Sequence, residues 1–131
     1  MADFKKLDVW QKAHALSLSI DRMCKRIRAS QYYSLRNQIF TAALSIPANV
    51  AEGRRKTRKK KEFLRFLRIA VSSTSELESH LLFAQDAKVI AKSEAVSLIG
   101  QTILVRKMLY ALIKRVSSPK PPAAPPTAPS R

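Results

Sequence analysis

The sequence is poor in the residues that interrupt helices. Only two glycines occur in 131 residues, and six of the seven prolines come after Val116. A chain with so few turn-forming residues, and rich in Leu, Ala, Ser, Lys and Arg, is predicted to be helical. The single cysteine, Cys24, excludes an internal disulfide framework and a cysteine-based zinc site within one chain, and it fits a reducing cytoplasm.

Long apolar runs are also missing. The N-terminal stretch, MADFKKLDVW, lacks the apolar core of a signal peptide. The most apolar region, residues 95–116, is interrupted by Gln101, Arg106, Lys107, Lys114 and Arg115. We therefore expect no transmembrane helix, no membrane partner and a cytoplasmic location.

Residue sets for catalysis and metal binding are sparse. Neither His14 nor His80 has the glutamate three residues earlier that di-iron bundles use, and Glu76 forms only an i,i+4 spacing with His80. Glycine-rich phosphate loops are absent, and Cys24 has no neighbouring histidine in the sequence. The sequence therefore predicts no enzyme, no metal site and no cofactor.

What the sequence does contain is periodicity. Apolar residues recur at alternating spacings of four and three along four segments, which predicts four amphipathic helices. The first three apolar faces are Val9, Ala13, Leu16, Ile20, Met23 and Ile27; Leu35, Ile39, Ala42, Ile46 and Val50; and Phe63, Leu67, Ala70, Thr74, Leu77, Leu81 and Ala84. The fourth is Ala95, Leu98, Thr102, Val105, Leu109, Leu112 and Val116. Short connections between such helices predict an all-α, antiparallel up-down four-helix bundle over residues 1–116.

The helix ends are predicted from capping residues. Helix one is expected at 9–28, with a turn at 29–33 and a second turn at 87–92. Candidate N-caps of the four helices are Asp8 with Gln11, Ser34, Thr57 and Ser93. Gly53 suits a left-handed position just past helix two. Pro47 either kinks that helix or breaks it into two.

The composition changes after Val116. Residues 117–131, SSPKPPAAPPTAPSR, cannot build a core and are predicted to be a disordered, Pro-rich tail with partial polyproline-II character.

Charge is the strongest functional signal. The chain has 25 basic and 9 acidic residues, a formal charge of +16, which favours polyanionic partners. We call residues 54–68 the basic segment, because it holds nine basic residues and one acidic residue, Glu62. Its basic members, our candidate nucleic-acid-binding residues, are Arg54, Arg55, Lys56, Arg58, Lys59, Lys60, Lys61, Arg65 and Arg68. Clustered like charge is relieved when phosphates supply counter-charge. A solvated surface, or an acidic lipid or protein partner, are the alternatives.

Several other side chains have two interpretations. Tyr32, Tyr33 and Phe66 suit either stacking on unpaired bases or packing in the core or an interface. Trp10 suits either ligand stacking or covering the end of the core. Asn49, within an apolar face, is typical of a buried amide that fixes pairing register.

Three stretches resemble a known family. The runs LDVWQKA at 7–13, LRNQIFTAALSIPANVAEGRR at 35–55 and EFLRFLRIAVSSTSELESHL at 62–81 are similar to the bacterial four-helix-bundle proteins of 23S rRNA intervening sequences. A more distant resemblance is to the accessory protein of diversity-generating retroelements. The basic segment and the proline tail depart from the usual pattern of the family.

The resemblance implies a homo-oligomer, a pentamer, and through its distant branch a reverse transcriptase partner. Together with the charge, it leads us to expect a non-enzymatic basic protein that binds RNA or DNA mainly through phosphate contacts. The alternative expectation is an accessory or scaffold subunit for a protein partner such as a reverse transcriptase.

Overall fold

A computed structural model describes residues 3–55 and 58–119. In this part of the chain four long helices follow two short 3-10 turns at Phe4–Lys6 and Ser30–Tyr32. The helices are α1 (Asp8–Cys24), α2 (Tyr33–Gly53), α3 (Lys60–Asp86) and α4 (Lys92–Ser117). The predicted disordered tail at 117–131 lies, from residue 120 onward, outside the described residues, and so do Lys56 and the predicted cap Thr57.

The four helices form an antiparallel up-down bundle, as predicted. Each helix packs against its neighbours in sequence, and α1 also packs against α4, which closes a square of four helices. Because the directions alternate, the start of α1, the end of α2, the start of α3 and the end of α4 meet at one end of the bundle. The connection between α2 and α3, where the basic segment begins, therefore lies at that end.

The predicted apolar faces form the core. All seven residues predicted for α3 are buried, and so are Val9, Ala13, Leu16, Ile20 and Met23 of α1. The α4 face is buried from Ala95 to Leu112, whereas Val116 is only partly buried. Periodicity located these faces correctly because burying one stripe of each helix supplies most of the stability of a bundle.

The ends of the helices differ from the predictions. The predicted capping box of Asp8 with Gln11 is wrong: Leu7 is the N-cap of α1, and the Gln11 side chain donates to the carbonyl of Lys5 at 2.8 Å. The helices α2 and α4 begin one residue before the predicted caps Ser34 and Ser93. The predicted end of α1 at residue 28 is also wrong, because the helix stops at Cys24.

Pro47 lies inside one continuous helix. The structure thus has neither of the two shorter helices that were the alternative, and Pro47 is buried within α2. The left-handed conformation predicted for Gly53 is wrong, since Gly53 is the last helical residue and has no positive φ. Among the described residues, the positive φ belongs to Lys88, at 63°, directly after α3.

Gly53 is instead required by close packing. A Cβ built on it would lie 2.8 Å from Cβ of Phe66 and 2.9 Å from Cδ1 of Phe63. The missing side chain lets the end of α2 approach the start of α3, and this approach fixes where the basic segment begins.

In the described part of the chain, α4 alone is long and apolar enough to cross a membrane by length and composition. Core helices of soluble proteins pass the same test. Six residues of α4 are buried against the other helices, with polar and basic residues between them. The bundle therefore accounts for the apolar character of one side of this helix.

Candidate nucleic-acid interface

The basic segment leaves α2, turns and becomes the first two turns of α3. The backbone N–H of Arg54 donates to the carbonyls of Val50 and Ala51, which closes the last turn of α2. A further turn is closed by the N–H of Arg58, which donates to the carbonyl of Arg55 at 2.9 Å. Helix α3 then begins at Lys60, with Lys59 as its N-cap. The cations of this segment are thus presented partly on a loop and partly on a helix.

One carboxylate holds the loop. Glu52, in the last turn of α2, accepts hydrogen bonds from Nη1 of Arg55 at 3.1 Å and from Nη2 of Arg58. The hydrogen bond from Arg58, followed by that from Arg55, lowers the pKa of the Glu52 carboxyl below its usual value. Glu52 therefore neutralises part of the predicted binding set and ties both ends of the loop to α2.

Two phenylalanines carry arginines of the segment on their faces. The guanidinium of Arg54 lies 5.5 Å from the ring centre of Phe63. The guanidinium groups of Arg58 and Arg65 lie 5.0 Å and 4.5 Å from the ring centre of Phe66. Cation–π contacts of this kind hold a guanidinium against the protein surface. They also occupy the ring of Phe66, so this residue is a support for arginines rather than a free stacking surface for bases.

The arginines of the segment are therefore largely engaged within the chain. Arg65 donates to Oε1 of Glu62 at 3.0 Å, in addition to its contact with Phe66. Arg54 is only partly exposed, and its Nε is buried without a hydrogen-bond partner in the described structure. Exposed ion pairs such as these are weak and exchange readily for other anions. Arg54, Arg55, Arg58 and Arg65 thus hold the loop in place, and each can bind a phosphate only if it breaks its contacts with the glutamates and phenylalanines.

The lysines behave differently. Lys59, Lys60 and Lys61 are exposed, as is Arg68, and in the described residues none of them pairs with a carboxylate within 4 Å. We call these four residues the free cations. Lys61 and Arg68 line a shallow groove of about 510 Å³ together with Glu62, Arg65, Ile69 and Ser72. Lys61, Arg65 and Arg68 are thus exposed on α3, whereas Phe63, Leu67 and Ala70 between them are buried.

The other candidate groups have structural partners. Tyr32 packs partly buried against the core, whereas Tyr33 is exposed and carries the guanidinium of Arg36 at 4.2 Å from its ring centre. Trp10 packs against the core and stacks on His14 at 4.7 Å. The amide of Asn49 donates to the carbonyl and hydroxyl of Ser45 in its own helix.

Metal and thiol chemistry find no support in the described residues. These residues contain no group of three or more His, Cys, Asp or Glu side chains that could hold a metal ion. Burial raises the pKa of the Cys24 thiol to about 11, so the thiol stays protonated and is a poor nucleophile at neutral pH.

The role of Glu52 is the main feature that the sequence analysis does not predict. Glu52 lies just before the basic segment, so Glu62 is the one acidic residue counted within that segment. The spacings from Glu52 to Arg55 and Arg58, three and six residues, cross the end of a helix. Periodicity does not predict contacts there, and the i,i+3 pair with Arg55 was the available signal.

Comparison with known proteins defines the fold and the family. A solved structure of a protein of unknown function from the S23 ribosomal protein family of Bacteroides thetaiotaomicron VPI-5482 superposes with a TM-score of 0.75 at 23% identity. The match covers 81% of this chain and 98% of the other. No curated protein matches the sequence. Residues 5–111 match the profile of the 23S rRNA-intervening sequence proteins, and the chain therefore belongs to this family.

Proposed function

We propose that this protein is a non-enzymatic, cytoplasmic, basic protein that binds RNA or DNA through phosphate contacts made mainly by the free cations. The observation that carries the proposal is the set of Lys59, Lys60, Lys61 and Arg68, which are exposed and lack an acidic partner in the described part of the chain. Unpaired cations bind phosphates at the lowest cost in free energy, because no existing ion pair has to be broken first.

The formal charge of +16 supports the same conclusion. The start of α1 and the end of α4 bring Lys5, Lys6, Lys114 and Arg115 to the end of the bundle that carries the α2–α3 connection. A field of one sign at one end of a small protein raises the local concentration of a polyanion and its association rate. Because phosphate contacts carry no sequence information, we expect binding that is tolerant of sequence.

Salt dependence tests the proposal. On a single strand, four phosphate contacts predict that affinity falls by about fiftyfold when monovalent salt rises from about 50 mM to about 200 mM. Filter binding of a labelled single-stranded RNA at a series of salt concentrations measures this slope. An affinity that is unchanged over this range would contradict the proposal.

A matched pair of triple variants locates the binding surface. Replacing Lys59, Lys60 and Lys61 with serine should weaken binding for every sequence alike. The plot of the logarithm of the binding constant against the logarithm of the salt concentration should become less steep, by the equivalent of about two to three phosphate contacts. The control replaces Lys25, Arg28 and Lys92, exposed residues near the opposite end of the bundle, and lowers the charge equally. Equal losses for the two triples would mean that net charge matters rather than this surface. Circular dichroism checks that both variants keep their helices.

We further propose that the protein is a homo-oligomer, which the family resemblance implies to be a pentamer. Support comes from the outer face of α4, where Val96, Leu104 and Tyr110 are 56%, 46% and 56% exposed in the single chain. Several large apolar side chains on one helix face favour a protein partner. The same face supports the alternative proposal, an accessory or scaffold subunit for a partner such as a reverse transcriptase. Recovery of that partner after nuclease treatment would favour the alternative.

A further inference from the structure

A second groove lies between α2 and α3 and differs in chemistry from the basic one. Its volume is about 600 Å³, and its polar lining residues include Asn37, Gln38 and Thr41 from α2 with Glu76 and His80 from α3. It has no lysine or arginine among its lining residues. Glu76 is exposed and has no hydrogen-bond or ion-pair partner among the described residues. Glu76 and His80, which have i,i+4 spacing, do not form an ion pair within 4 Å in this structure.

These groups suit a neutral ligand that carries both donors and acceptors. A carboxylate repels a phosphate but accepts a hydrogen bond from the amino group of a base, as Glu and Asp do from cytosine. The side-chain amides of Asn37 and Gln38 each offer a donor and an acceptor, and the hydroxyl of Thr41 offers both. Unpaired bases are recognised by such side chains along their Watson–Crick and Hoogsteen edges.

One end of the groove is fixed by hydrogen bonds. The hydroxyls of Ser45 on α2 and Ser73 on α3 lie 2.8 Å apart, and the amide of Asn49 donates to the hydroxyl of Ser45 at 3.0 Å. Ser45 lines the groove and Ser73 precedes Glu76 by three residues, so this network joins the two helices at the end of the groove nearer the start of α3. The helices that carry the polar lining residues are thus tied to each other beside the groove, which lowers the cost of ordering those residues around a ligand.

The two grooves follow one another along α3. The basic groove extends from Lys61 to Ser72, and the polar groove starts at Glu76, one helical turn further on. Glu76 lies eight residues beyond Arg68, about 12 Å along the helix axis, which corresponds to roughly three to four nucleotide steps of about 3.4 Å each. A strand whose phosphates lie on Lys61 and Arg68 and which continues along α3 therefore places the bases of the nucleotides about three to four positions further on over the polar groove.

From this arrangement, and resting on the proposed nucleic-acid function, we infer that the α2–α3 groove receives unpaired bases. The protein then prefers single-stranded nucleic acid over a duplex, because the base edges in a duplex are occupied by pairing. The free cations hold the backbone, and Asn37, Gln38, Thr41, Glu76 and His80 contact the bases.

The test uses the full chain and three labelled DNA probes of equal length, about 20 nucleotides, which exceeds the usual site size of a single-strand-binding fold. The probes are a mixed-sequence single strand, the same backbone with abasic sites in place of its bases, and the corresponding duplex. Fluorescence anisotropy at low salt should show the intact strand bound about tenfold more tightly than the abasic strand. The duplex should also bind more weakly than the intact strand.

The Glu76→Ala variant distinguishes a purely electrostatic surface from contact with the bases, because the two predict opposite changes in affinity for the intact strand. The substitution removes a negative charge, so a purely electrostatic surface would bind every probe more tightly. If Glu76 contacts bases, the intact strand binds more weakly, by about fivefold or more, while the abasic strand does not lose affinity. The control is Asp86→Ala, which makes the same change of charge at the exposed C-terminal end of α3.

The outcomes separate this inference from the proposed function. Equal binding of the intact and abasic strands, preference for the duplex, or tighter binding of the intact strand by the Glu76→Ala variant would each overturn the inference. In all three cases binding through the basic segment would persist. Failure of every probe, and of the single-stranded RNA of the salt titration, to bind at low salt would instead refute the proposed function itself.

Discussion

At the scale of single residues, the two glycines of the chain have opposite surroundings. Gly53 lies where α2 meets α3, and an added Cβ would be 2.8 Å from Cβ of Phe66 and 3.3 Å from the carbonyl oxygen of Phe63. Gly100 lies within α4, and an added Cβ there would meet no atom within 4 Å. The same substitution is therefore expected to change stability in opposite directions at the two positions.

Gly53→Ala should lower the free energy of unfolding by about 1–3 kcal/mol, because neither a Cβ nor a backbone carbonyl can move aside without shifting α3. Gly100→Ala should raise the free energy of unfolding by about 0.5–1 kcal/mol, because alanine loses less conformational entropy in a helix. Urea unfolding followed by circular dichroism measures both. Equal changes in the two variants would show that α2 and α3 do not approach as closely as described.

At the scale of elements, the connection between α2 and α3 is organised by one carboxylate and one aromatic ring. Glu52 binds Arg55 and Arg58, and Phe66 supports Arg58 and Arg65. These contacts direct three arginines back onto the protein, and they leave Lys59, Lys60 and Lys61 exposed at the start of α3. The connection between α2 and α3 therefore holds its arginines against the protein and leaves the three lysines exposed to solvent.

Glu52→Gln should loosen this connection. Without the carboxylate, Arg55 and Arg58 lose their charged partner, so trypsin should cleave after the arginines and lysines of the loop faster than in the wild-type protein. Nucleic-acid binding should tighten modestly, because two arginines are released and a negative charge is removed. The control, Asp86→Asn, removes an acidic charge at the other end of α3 and should leave cleavage in the loop unchanged.

The pH dependence of the same contact has a defined sign. The pKa of Glu52 is lowered in the folded state, so its stabilising contribution is complete above the ordinary glutamate pKa of about 4.3 and is lost as the pH falls through the lowered value. The difference in urea midpoint between the wild-type and Glu52→Gln proteins should therefore be present at neutral pH and vanish in acid. A difference that persists in strong acid would assign the effect to another cause.

At the scale of the whole molecule, the basic segment and the largest exposed apolar side chains of α4 lie on different elements. The cations of the basic segment gather at the α2–α3 end of the bundle, whereas Val96, Leu104 and Tyr110 are exposed on the side of α4. An assembly formed through α4 would bury these apolar residues and leave the basic ends accessible. Chains with a formal charge of +16 each repel one another, so assembly of this kind should be favoured by salt or by a bound polyanion.

Leu104→Glu should therefore shift the protein from an oligomer to a monomer, because it places a charge in the centre of the exposed α4 face. Size-exclusion chromatography with light scattering measures the mass. Leu18→Glu, a matched substitution at a residue of α1 with similar exposure of 47%, should keep the oligomer. A wild-type protein that is monomeric at every concentration and salt would refute the proposed oligomer.

The sequence by itself determined the helical class, the four core faces and the location of the positive charge. These features follow from local periodicity and composition, and burial of one stripe on each helix leaves little freedom in how a short-looped bundle is arranged. The continuous helix through Pro47, one of two alternatives, was settled only by the structure, where Pro47 is buried against the core.

Only the tertiary structure decided which cations are free and which are engaged. Apart from the i,i+3 pair of Glu52 with Arg55, the contacts of Glu52, Phe63 and Phe66 with the arginines cross a helix end and a loop, where the helical period does not predict which side chains meet. The helix ends were misplaced for a related reason, because capping propensities of less than about 2 kcal/mol are outweighed by packing. The packed corner around Gly53, rather than a left-handed residue, fixes where α2 stops and the basic segment begins.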